Sequence, residues 1–153
     1  MSAQAGLAPA GKLSRFYCRL LYAATAMALP AQTYTTLASF DGTDGINPSV
    51  ALIQATNGDL YGTTYGGGTS PCPSPGCGTI LKITPNGTLM TVYSFCPLSG
   101  CTDGANPGGA LVQATNGDFY GTALSGGAGD HGTVFKISQS GTLTTLYSFC
   151  SQE

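Results

Sequence analysis

An all-β fold of two four-stranded antiparallel sheets is predicted by three observations. A block of about fifty-five residues occurs twice. Each copy holds four runs of strand-forming residues, and compact turn signals separate the runs. ALIQATNGDLYGTT (Ala51 to Thr64) returns as ALVQATNGDFYGTA (Ala110 to Ala123), and GTILKITPNGTLMTVYSFC (Gly78 to Cys96) returns as GTVFKISQSGTLTTLYSFC (Gly132 to Cys150). A repeat of this length with four strands reads as a β-propeller blade. A sandwich or barrel shares the strand spacing but has no reason to repeat residue for residue. Complete propellers use about four to eight blades, so two blades make a partial propeller.

Residues 1–31 read as a signal peptide. Lys12, Arg15 and Arg19 precede the apolar run Leu20 to Leu29, and the small residues Ala28 and Ala31 offer cleavage positions. The run falls short of the roughly twenty residues that span a bilayer. No membrane span is expected, and the mature protein is placed outside the cell or on its surface. The two-repeat domain follows at 32–153, with repeat 1 at about 41–95 and repeat 2 at about 96–149. Ahead of it, YTTLASF (Tyr34 to Phe40) matches LTTLYSF (Leu143 to Phe149). It is expected to form one extra outer strand.

The strands are expected at 50–55, 59–65, 79–84 and 88–95 in repeat 1, and at 110–114, 118–124, 133–138 and 142–149 in repeat 2. These runs are rich in Val, Ile, Leu, Tyr, Phe and Thr. Asn57-Gly58, Asn86-Gly87 and Asn116-Gly117 read as two-residue type I′ hairpins, and Ser140-Gly141 as a weaker version of the same turn. Gly108, Gly109 and Ala110, with Ser49 and Ala51 in repeat 1, suit a crowded innermost strand. Stacked blades bury their faces on one another. An isolated pair is therefore expected to expose an apolar face at each end, including alternate residues of Ile80 to Ile83 and Val134 to Ile137, and to self-associate.

Across the repeats, the pattern TDGxNPxxAL, QATNGDxYGT, GGxxxxGTxxKI and GTLxTxYSF resembles the GloVer-type tandem repeat of exported bacterial proteins, over Tyr34 to Phe149. That family often carries interchangeable C-terminal anchors and many repeats. The resemblance implies architecture and an exported location. It implies no chemistry.

Only 8% of the 153 residues are charged and the net charge is −2. No basic patch exists to hold nucleic acid. No phosphate-binding glycine loop, nucleotide motif or Ser/His/Asp signature is present, so no cofactor is expected.

Cys72 and Cys77 flank one insertion, and Cys96 and Cys101 flank another, with the same spacing. Two local disulfides are the simplest reading for an exported chain. A four-cysteine zinc site has pairs at this spacing too. It is set aside because each pair sits in a loop absent from the equivalent place in the other repeat, and no metal is expected. Cys150 aligns with Cys96, and its partner would fall beyond Glu153. That favours a fragment of a longer repeat protein, the alternative being a free or intermolecular thiol, and Cys150 is expected to be unpaired within the chain.

Alternate connections of a four-stranded meander emerge at one end of the sheet. The long loops there carry Asp44, Asn47, Asp103, Asn106, Asp130 and His131. This is the candidate ligand-binding face. Asp41 to Gly45 (DGTDG) resembles a calcium loop but lacks its carboxylate count. No acid and base are paired, so no catalytic residue is assigned. The expected function is a non-catalytic module that binds a glycan or a cell-surface protein, or displays itself there. Self-association or further repeats would complete its propeller. The alternative is a polysaccharide-active hydrolase or lyase whose catalytic blades are missing here, and a truncated gene remnant is a third possibility.

Overall fold

The structure is a computed structural model that describes residues 32–150 except 74 and 98. The expected signal peptide at 1–31 therefore lies outside the described residues. Two compact units are present, Met1–Thr35 and Thr36–Glu153. The described part of the first, residues 32–35, is exposed and carries no strand. Every strand among the described residues belongs to the second unit.

Among the described residues there is no helix, and the strands form two antiparallel sheets that do not close on each other. The first contains β1 (Ile53–Gln54), β2 (Leu60–Thr64), β3 (Thr79–Ile83) and β4 (Leu89–Ser94), in that order. The second contains β5 (Ala105–Pro107), β6 (Val112–Gln113), β7 (Phe119–Ser125), β8 (Thr133–Ile137) and β9 (Leu143–Ser148). There β5 and β6 both pair with β7, and β8 and β9 follow outward. The arrangement is that of a partial, propeller-like stack.

Three local expectations need correction. The innermost strand is interrupted in both repeats. In the second it is split into β5 and β6. In the first, β1 is preceded by a single bridge, Ile46 to Gly66. Asn47 and Asn106 stand at the break with left-handed backbones, φ 55° and 54°. The proline after each has no N–H to continue the ladder. Second, the tight turns are not type I′. At all four, the glycine N–H bonds three residues back (Gly58 to Ala55, Gly87 to Thr84, Gly117 to Ala114, Gly141 to Ser138), and only the glycine takes positive φ. This is a type I turn followed by a left-handed glycine. Ser140-Gly141 is therefore as good a turn as Asn-Gly, because the residue before the glycine needs no unusual φ. Third, the segment matching the outer strands, 34–40, pairs with no strand among the described residues. The third strands of both sheets, β3 and β8, already pair with their own β4 and β9.

Both sheets carry a register shift at the same place, between Ile80 and Leu81 and between Val134 and Phe135. The extra residue is Val92 in β4 and Leu146 in β9. Each sheet also has one cross-strand ion pair behind its first hairpin, Lys82 to Asp59 at 3.7 Å and Lys136 to Asp118 at 3.5 Å. These two aspartates also accept from or pair with the hairpin asparagines, which gives them a turn role.

The core lies between the sheets. Alternation along a strand sends neighbours to opposite faces. Tyr61 of β2 meets Phe119 of β7 with ring centroids 4.2 Å apart, and Phe95 meets Phe135 at 5.2 Å. Ile80, Leu111 and Ile137 complete the same buried cluster. In the aligned repeats Tyr61 corresponds to Tyr120, and Phe119 to Leu60. The contact is therefore head to tail: one face of the first sheet packs on the opposite face of the second.

The exposed apolar surface differs from expectation. Leu81 and Ile83 are buried, at 1% and 6% exposure, as are Phe135 and Ile137. Much of the open apolar surface belongs to the second sheet, with Val112 65% exposed, Leu124 61%, Tyr147 55% and Leu146 50%. The second sheet thus presents an open apolar face beyond the stack, and Met90 and Leu52 of the first repeat are also exposed, at 49% and 45%.

Candidate functional site

Three connections meet at the end of the stack where the long loops emerge: β2 to β3, β4 to β5 and β7 to β8. The backbone N–H of Asn106 bonds Cys77 O at 2.7 Å, and its side-chain amide donates to Tyr65 O and Gly76 O. Gly104 N–H and Gly127 N–H both donate to Cys101 O. The loops approach so closely at Gly126 that a Cβ there would sit 2.6 Å from Cys101 O, and its φ is 73°. Gly67 holds the matching place in the first repeat, against Gly42 O. That is why Gly-Gly recurs after each second strand.

The six expected site residues fall into two groups at this end. Four serve the fold. Asp103 Oδ2 accepts from the Tyr93 hydroxyl and from Cys96 N–H, both at 2.9 Å. The Tyr93 phenol is held well above its ordinary value, first by burial and then by its bond to the Asp103 carboxylate. Asn106 accepts from Ser125 Oγ at 2.8 Å while it donates to the first sheet. Asp130, with φ 56°, accepts from Gly126 N–H at 2.8 Å. Asp44 accepts from Asp41 N–H, and Asp41 in turn accepts from both groups of Thr43 and from Asp44 N–H. These bonds hold Asp41 below the usual carboxylate range. The DGTDG stretch is thus a self-bonded turn, with its carboxylates occupied by its own backbone.

The other two, Asn47 and His131, are exposed, and their side chains make no hydrogen bond among the described residues. Among the described residues of this end, no acid and base share a hydrogen bond. The backbone carbonyls of Asp44 and Asp103 also have a shared task, accepting from the buried hydroxyls of Thr79 and Thr133.

Both expected disulfides form, Cys72 to Cys77 and Cys96 to Cys101, and Cys150 is exposed and unbonded. Spacing along the chain does not reveal that the two cysteine loops meet at this end. The four sulfurs lie within 4.8 Å of one another. The signal that pointed to this was topological: an insertion between the second and third strands and a connection between sheets emerge side by side.

A shallow polar groove of about 410 Å³ lies at the opposite end, between the hairpins at Asn116 to Asp118 and Ser138 to Ser140. Its walls are occupied by their own turns. Asn116 bonds Asp118, Ser138 bonds Ser140, and Gln139 donates to Gly117 O.

A sequence profile of the Gloeobacter/Verrucomicrobia repeat matches residues 21–153. No curated protein matches the chain.

Proposed function

We propose, from the premise that this chain belongs to the Gloeobacter/Verrucomicrobia repeat family, that it is a non-catalytic, exported stacking module of a larger β assembly, with its long-loop end turned to a glycan or cell-surface protein. The observation that carries this reading is the bare face of the second sheet. Tyr147 and Phe149 stand edge to face at 5.0 Å, as Tyr93 and Phe95 do at 5.4 Å. The second pair is covered by the second sheet, with Phe95 fully buried, whereas Phe149 is 43% exposed. The surface is built to receive a further sheet of the same kind. The polar groups at the loop end support binding over turnover, because the carboxylates there are engaged in turns and loop-to-loop bonds. A general acid and base must both reach one substrate. Two disulfides suit an oxidising compartment.

Sedimentation of the purified chain tests the stacking reading. Wild type is expected to associate, and Leu146→Asp to remain monomeric with its sheets intact by circular dichroism. A wild-type monomer with a cooperative melt would overturn it. A hydrolysis screen on polysaccharides runs beside it with His131→Ala. Product formed by wild type and lost in that variant would replace the module by an enzyme.

A further inference from the structure

We propose that Cys72, Cys77, Cys96 and Cys101 are one metal site, and that the reduced chain binds a single zinc ion through their four thiolates. Along the sequence, the two pairs occupy non-equivalent loops, which speaks against zinc. The fold removes that objection, since the loops emerge side by side and every sulfur lies within 4.8 Å of the other three. A tetrahedral zinc with bonds of about 2.3 Å to sulfur has sulfurs about 3.8 Å apart. The bonded pairs need only separate to that distance, and the pairs need only approach slightly. The pair spacing also falls within the range of structural zinc loops.

The surroundings favour a preformed site. Cys77 and Cys96 are buried, and Cys72 and Cys101 pack against the same apolar cluster that contains Phe95 and Ala105. Water is largely excluded on that side. The loops are also held without the bridges. Asp103 grips Cys96 N–H, Asn106 N–H grips Cys77 O, and Gly104 and Gly127 N–H grip Cys101 O. Cys72 N–H also donates to Ser70 O at 2.8 Å, so removing the sulfur–sulfur bonds leaves all four cysteines with a backbone hydrogen bond. The sites on either side are the β2–β3 loop and the connection between sheets, so the metal would clamp the two sheets to each other, which neither local disulfide does.

The interconversion balances. Each disulfide takes two electrons and two protons from a dithiol, which closes to its own disulfide, and yields two thiols. Zinc then displaces four thiol protons to give a site of net charge −2. In an oxidising compartment the two bridges persist, and in a reducing one the metal replaces them.

The test uses the full chain, reduced with a phosphine, which is itself oxidised to its oxide, and titrated with cobalt(II). Tetrahedral thiolate bands are expected to saturate at one ion per chain and to be displaced by zinc. Cys18→Ser/Cys150→Ser should leave this unchanged, and Cys72→Ser/Cys77→Ser should weaken uptake at least about a hundredfold, the scale set by losing two of four ligands. X-ray absorption of the zinc-loaded wild type is expected to show four sulfurs at about 2.3 Å, which holds whether or not the serine variant folds. No tetrahedral band, two ions per chain, uptake that survives the serine pair, or a nitrogen- or oxygen-containing shell would each overturn the proposal.

Discussion

Tyr93 and Tyr147 fill the same position in two copies of one repeat, yet their surroundings share little. Tyr93 packs on Phe95 and donates to Asp103 of the next repeat. Tyr147 packs on Phe149 and stands 55% exposed. The same holds at Ile53 and Val112 and at Val92 and Leu146, where the first-repeat member packs on the core and the second faces outward, whereas at Asn47 and Asn106 it is the second-repeat side chain that is bonded. The inner face behaves in the opposite sense: Leu111 is 2% exposed in the second repeat, and Leu52 is 45% exposed in the first. Energetic weight in this molecule follows position in the stack. The local sequence fixes a strand and its turn, and the neighbouring sheet decides what each side chain is worth.

The largest contrast is expected at the phenylalanines. Phe95→Ala removes a ring that is fully buried between two others and should cost about 3–5 kcal/mol. Phe149→Ala should cost less than about 1 kcal/mol, as surface truncations do. Urea unfolding of the two variants decides it, and equal losses would mean that the open end is already covered in solution. A middle-sized contrast concerns the loop aspartates. Asp103→Ala leaves the Tyr93 hydroxyl and Cys96 N–H without their acceptor, a loss of about 1–3 kcal/mol. Asp44→Ala loosens only an exposed turn and should stay within about 0.5 kcal/mol. Thermal melts of the pair would show whether the bond between repeats carries that difference.

The smallest effect appears only at alkaline pH. Because the folded state raises the Tyr93 phenol above its unfolded value of 10.0, folded protein holds that proton where unfolded protein has lost it. The resulting stability is complete below about pH 10 and drains away as pH rises above it. Tyr93→Phe should flatten that decline in denaturant titrations above pH 10, and an unchanged slope would assign the decline to other groups.

The strands and hairpins were legible because each is written twice, and agreement between copies marks what the backbone requires. The turn type was misjudged for a physical reason. Asn-Gly satisfies two hairpin geometries, and only the hydrogen bond from Gly58 to Ala55 distinguishes them. The interrupted inner strand was hidden because Asn47-Pro48 and Asn106-Pro107 look like a turn preceding one strand, when Asn106-Pro107 closes β5 and Asn47-Pro48 follows the Ile46 to Gly66 bridge. At the loop end, the sequence does not show the partners of Asp103 and Asn106, since Tyr93 lies in β4 and Tyr65 just past β2, both in the preceding repeat. The cysteine convergence depends on distance across two loops of different origin, which no spacing along the chain encodes.

The matching register shifts at Ile80/Leu81 and Val134/Phe135 have a consequence for how such a chain grows. An extra residue in the outer strand bends and twists its sheet, and a stack stays in step only if every sheet twists alike. Here each unit brings its own twist, set by its own outer strand. A gene that copies the whole unit therefore adds a part whose shape is already correct, and the new junction inherits the old one's fit. Deleting the one extra residue in a single copy would leave that copy coded in full and out of step with its neighbours on both sides.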